Sequence, residues 1–114
     1  MEKIERPKSL PSVSRKLIVG CGSLYITTGS YNGRVIEVIA SLGRAGGCAS
    51  AQNEALGKVI SLGLKWGVPI EEYVEELKGI GCPSPNLFPA DEKCLSCADG
   101  FAKALEENGY QANS

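Results

Sequence analysis

Five cysteines, Cys21, Cys48, Cys82, Cys94 and Cys97, are the residues of this 114-residue chain best suited to chemistry, and there is no histidine to accompany them. Without histidine, imidazole-based acid/base catalysis and imidazole metal ligation are excluded. Zinc is held well by four thiolates in a closed tetrahedral site, and a Cys-x-x-Cys pair such as Cys94/Cys97 supplies two ligands from one turn. Cys21, Cys48 and Cys82 are isolated singles, so a four-cysteine site has to be assembled from distant loops. The same Cys94-Leu95-Ser96-Cys97 pair reads equally as a dithiol/disulfide couple, because a thiolate at the start of a helix is stabilised by the helix dipole. The plain alternative is that the thiols are small hydrophobes. Their expected positions at element ends and in loops favour ligation over simple packing.

Other candidates are weaker. The loop Gly43-Arg44-Ala45-Gly46-Gly47 opens a long helical stretch, where free N–H groups and Arg44 can hold an anion, and a nucleotide is the corresponding ligand. It lacks both the lysine-serine/threonine end of a P-loop and the dinucleotide glycine pattern, so its glycines are read as serving a tight turn. Gln52, Asn53 and Glu54 are explained by capping and solvent contact, and Trp66 and Tyr73 as core or edge aromatics. Residues 1–65 carry nine Lys/Arg against four Glu, and residues 66–114 carry three Lys against nine Asp/Glu. The formal charge of -1 therefore hides two opposed halves. The basic half, with Arg15, Lys16, Arg34, Arg44 and Lys58, is a candidate docking surface for a protein partner and, more weakly, for nucleic acid.

The elements that must position these groups follow from the residue periods. Residues 1–13 contain Pro7 and Pro11 without apolar periodicity and read as a flexible arm, with order beginning near Ser14. Arg15–Val19, Ser23–Thr28 and Arg34–Leu42 are rich in Leu, Ile, Val, Tyr and Thr and read as strands. Gly20-Cys21-Gly22 bends the chain between the first two, and Gly29–Gly33, containing Asn32-Gly33, turns it between the last two. Apolar residues at Ala51, Ala55, Leu56, Val59, Ile60, Leu62 and Leu64 recur at helical spacing, which predicts a helix from Cys48 to Trp66 stopped by Gly67. Pro69 starts a second helix over Ile70–Leu77, with Val74 and Leu77 inward and four glutamates outward. A proline-rich loop then leads to a third over Ala98–Asn108, with Phe101, Ala104 and Leu105 on its apolar face.

The expected fold class is therefore α+β: a small antiparallel sheet of two or three strands followed by three helices, one domain over 14–109 with a tail at 110–114. At 43% hydrophobic and 22% charged residues, the chain carries one core of its own. It has no room for a barrel or a full dinucleotide-binding fold. No run reaches the ~18 apolar residues of a membrane span, and Met1–Lys8 lacks a signal-peptide core, so a cytoplasmic location is expected.

Four strings, Gly20–Tyr25, Ala40–Gln52, Lys78–Pro85 and Leu95–Asp99, resemble the TSCPD domain over about residues 14–107. That domain stands near the C-terminus of adenosylcobalamin-dependent ribonucleotide reductases and also occurs as short stand-alone chains. The resemblance implies that Cys21, Cys48, Cys82 and Cys97 are motif cysteines forming one four-thiolate zinc site, and that Cys94 lies outside the motif as a spare thiol, a substitute ligand or the redox partner of Cys97. Leu95 and Ala98 replace the threonine and proline of the name-giving string. It further implies an accessory module of deoxyribonucleotide synthesis, acting beside a reductase subunit. Such a module neither catalyses the reduction nor binds cobalamin alone, because the radical barrel does not fit in this chain. The alternative is a thiol carrier that supplies reducing equivalents to a reductase through Cys94 and Cys97.

Overall fold

The computed structural model describes residues 2–43 and 47–113, with side chains through Gly109. Three strands, β1 (Ser12–Val19), β2 (Gly22–Tyr31) and β3 (Arg34–Leu42), form an antiparallel sheet in the order β1-β2-β3. Three helices follow, α1 (Gly47–Lys65), α2 (Ile70–Leu77) and α3 (Cys97–Asn113), with one 3-10 turn at Ala90–Glu92. This is the α+β arrangement that the change of residue period predicts.

The register sets one face of the sheet inward. Leu24, Ile26 and Thr28 of β2 stand opposite Leu42, Ala40 and Val38 of β3, and Leu24 stands opposite Leu17 of β1. Alternation at period two places these residues on one side. They meet Ile60 and Leu64 of α1, Ile70 and Val74 of α2, and Phe101, Ala104 and Leu105 of α3 in a single core. β2 runs past the expected turn to Tyr31, and a register shift at Gly29/Ser30 accommodates the extra length. The turn itself is only Asn32-Gly33, both at positive φ, as a two-residue hairpin turn requires.

α1 lies along β3 through two residues that allow close approach. Gly57 packs onto the β3 backbone, where an added Cβ would stand 3.1 Å from the Val38 carbonyl oxygen. One turn later the Ser61 hydroxyl accepts a hydrogen bond from the Val38 N–H at 2.9 Å and donates to the Val38 carbonyl at 3.1 Å. The helix thus satisfies an edge-strand residue with a side chain, which closes that point of the edge to another strand.

The apolar residues whose spacing predicts α1 do not all face the core. Ile60 and Leu64 are buried, whereas Ala51, Ala55, Val59, Leu62 and Trp66 are exposed. Asn53, expected to meet solvent, is instead buried and donates to the Ala49 carbonyl. The segment before β1 is bound to the domain at several points. The Ile4 N–H donates to the Lys65 carbonyl, Arg6 pairs with Glu37 at 2.6 Å, and the Pro11 carbonyl accepts from the Ser30 N–H. Strand structure begins at Ser12, two residues before the expected start of order.

Replacing Ser61 by alanine leaves the buried N–H and C=O of Val38 without their partner. Ser61→Ala is expected to lower unfolding free energy by about 1–3 kcal/mol, measured by urea denaturation with an unchanged m-value.

Candidate functional site

The four motif cysteines occupy different elements, and the topology carries all four to one end of the sheet. Cys21 is the tip of the β1–β2 hairpin, between two glycines that permit close neighbours. Gly20 abuts the Ser84 backbone, where a Cβ would collide with the carbonyl oxygen, and Gly22, at φ +131°, faces the Gly43 carbonyl. Gly43 is also tied to β2 by its N–H to the Ser23 carbonyl, and Cys48 lies in the first turn of α1 beyond it. On the other side, Ser84 follows Cys82, whose N–H donates to the Leu95 carbonyl at 3.1 Å, and Cys97 opens α3 two residues later. Short backbone contacts therefore link Gly43, the Cys21 tip, the Cys82 loop and the start of α3. Cys21 and Cys48 are exposed, and Cys82 and Cys97 are half-buried. Among the described residues no three His, Cys, Asp or Glu side chains converge as a metal site requires. Four thiols suit zinc in kind and share one end of the fold, but they are not gathered around a point. Arg44, proposed as an anion contact, lies outside the described residues, as do Ala45 and Gly46.

Cys94 is different from the other four. It lies in a loop, as its place in the sequence predicts, yet it is fully buried and belongs to the hydrophobic core. Its backbone makes a two-way bridge with Asn86, and its Sγ donates to the Ser96 carbonyl at 3.2 Å. Burial pushes this thiol above its ordinary pKa, with the Asp99 carboxylate adding to the rise.

Two residues that the cysteine reading passes over hold this end together. Ser96 caps α3, its Oγ accepting the Asp99 N–H at 3.1 Å while donating to the Ile80 carbonyl at 2.5 Å. The Asp99 carboxylate, only 3% exposed, accepts from the Gly79 N–H at 2.9 Å and the Leu95 N–H at 3.0 Å, with Lys103 at 3.9 Å one turn on. The signal was present as Ser-x-x-Asp before an apolar helix, a capping-box spacing.

The residues of the expected basic surface are spread out. Arg15 and Lys16 line one groove beside Asp91, Glu92 and Glu107, and Arg15 pairs with Glu107 and Asn108 of α3. Arg34 stands at the opposite end of β3 from Gly43, and Lys58 is paired with Glu54 on α1. Among the described residues no helix is long and apolar enough to cross a membrane.

The family model of the TSCPD domain matches residues 2–108, nearly the whole chain. The chain belongs to the TSCPD domain family. TSCPD sequences similar to it lie within larger proteins. A vitamin B12-dependent ribonucleotide reductase of Agrobacterium fabrum is 35% identical over 75 residues, 65% of this chain and 6% of that protein. Proteins of the same name from Bradyrhizobium diazoefficiens and Streptantibioticus cattleyicolor are 31% identical over 75 and 71 residues, 6% and 12% of their lengths. This TSCPD chain thus spans a small fraction of the relatives it matches. No solved structure matches it.

Two outcomes follow from the geometry at this TSCPD end. In metal-free protein under native conditions Cys94 is expected to alkylate at least tenfold more slowly than Cys21 and Cys48, read by peptide mass spectrometry, and to match them in denaturant. Asp99→Asn presents an amide N–H₂ to a site built from backbone donors, and is expected to destabilise by about 1.5–3 kcal/mol in denaturant unfolding.

Proposed function

We propose that this chain is a non-catalytic accessory module related to vitamin B12-dependent ribonucleotide reductase, with a structural zinc held by Cys21, Cys48, Cys82 and Cys97. The supporting observation is the placement of these four residues, drawn from a hairpin tip, a helix start, a loop and a second helix start, at one end of the sheet. A bound zinc would cross-link segments that otherwise touch only through a few backbone contacts, and its binding energy would add to folding energy. Asp99 and Ser96 hold the Cys82 and Cys97 segments in place from below. The module acts by docking on a protein partner, for which a reductase subunit is the natural choice, given the larger proteins that contain its relatives.

The thiol-carrier reading through Cys94 and Cys97 has less support. Exchange needs an accessible sulfur and a stabilised thiolate, whereas Cys94 is enclosed in the core with its pKa raised.

Protein purified without affinity metals is expected to contain one zinc per chain by elemental analysis. Chelator under denaturing conditions should release it and free about four thiols that react slowly while the metal is bound. Cys97→Ser should lose the zinc and lower the melting temperature, while Cys94→Ala keeps the zinc. Metal-free protein with a reversible disulfide would overturn the zinc assignment in favour of the carrier.

A further inference from the structure

Helix α1 carries a second apolar stripe, on its solvent-exposed side. Ala51, Ala55, Val59, Leu62 and Trp66 follow a 4-4-3-4 spacing, which keeps them within about 80° of one another around the helix. The stripe is centred about 180° from Asn53, Gly57, Ile60, Ser61 and Leu64, the residues that α1 buries. Val59, Leu62 and Trp66 remain 60%, 50% and 45% exposed. A helix apolar on two opposite faces has one more contact to make than the domain provides.

We infer that this stripe is the interface of a symmetric dimer, in which α1 packs antiparallel on α1 of a second copy. The order of side-chain sizes favours that occupant. Small residues lie toward the N-terminal end of the stripe and large ones toward its C-terminal end. With the two-fold axis at Val59, Leu62 of each copy falls beside Ala55 of the other, and Trp66 falls against the Ala51–Ala55 end. Large side chains thus meet small ones on both sides of the Val59 pair at the axis, as a self-complementary interface requires. Charge follows the same arrangement. Glu54, Lys58 and Lys65 form one polar flank of the stripe, and an antiparallel two-fold brings Glu54 of one copy to Lys65 of the other. The two Lys58 side chains approach near the axis, each accompanied by its own Glu54 at 3.6 Å.

The contact is small. One helix face supplies a few hundred Å² per copy, against roughly 800 Å² per partner in a standard stable interface, so the dimer belongs to the weak, concentration-dependent class. The inference concerns the solvent side of α1 and stands independently of zinc. Cys48 lies on the same side of the helix, so the test is made in reductant to exclude a disulfide-linked pair.

Sedimentation equilibrium of the full chain from about 5 to 500 μM tests the dimer over the range where weak self-association is read. The expected result is a rise in mass from the 12.0 kDa chain toward twice that value. Leu62→Glu should abolish the rise, with circular dichroism and the urea midpoint unchanged because Leu62 is not part of the core. Glu54→Lys and Lys65→Glu should each weaken association severalfold, and the double exchange should restore it. A monomer throughout the range, a Leu62→Glu protein that still dimerises, or a double exchange without recovery would each overturn the inference.

Discussion

A single buried carboxylate organises the cysteine-bearing end of this domain. Asp99 sits in the first turn of α3, where the free N–H groups favour negative charge, and takes two further backbone donors, from Gly79 and Leu95. Those donors belong to segments on either side of a long irregular loop. Fastening both of them to α3 determines where Cys82 and Cys97 can lie. Ser96 adds the helix cap and a bond to Ile80, and the Asn86–Cys94 bridge closes the loop on itself. Burying an ionised group costs much unless it is well bonded, and here the bonds go to backbone groups that themselves needed acceptors.

The cysteines divide by environment. Cys94 plugs the core beneath the loop, with its Sγ near Gly100 and its S–H satisfied by a carbonyl. The other four thiols have at least partial access to solvent. This separates a packing cysteine from motif cysteines within one Cys-x-x-Cys string, which a spacing argument treats as a pair.

Much of the architecture was legible in the residue pattern. The strands read from their period and the Asn32-Gly33 turn, and α2 matches its expected bounds because Pro69 and Lys78-Gly79 mark both ends. α1 was legible as a helix but not in orientation. Val59 and Leu62 are as apolar as Ile60 and Leu64, and periodicity cannot say which of two hydrophobic faces the core takes. Gly57 and Ser61 decide it, because only that side lets the helix approach the β3 backbone. The loop from Gly79 to Ser96 has no period to read, and its path depends on backbone bonds such as Cys82 to Leu95 that no side-chain pattern announces. Within the positive half of the chain Arg15 and Lys58 are matched by acidic neighbours, a pairing that charge counted along the sequence does not reveal.

The Ser61 contact has a further consequence for colloidal behaviour. Val38 lies in the middle of β3, and its main-chain groups are already engaged by the helix, while β1 at the other edge has no strand beside it among the described residues. An added strand therefore meets a continuous row of free groups more readily along β1 than along β3. Growth of an indefinite cross-β ribbon needs two continuously pairing edges per subunit, and the Ser61 bonds interrupt one of them at its middle residue.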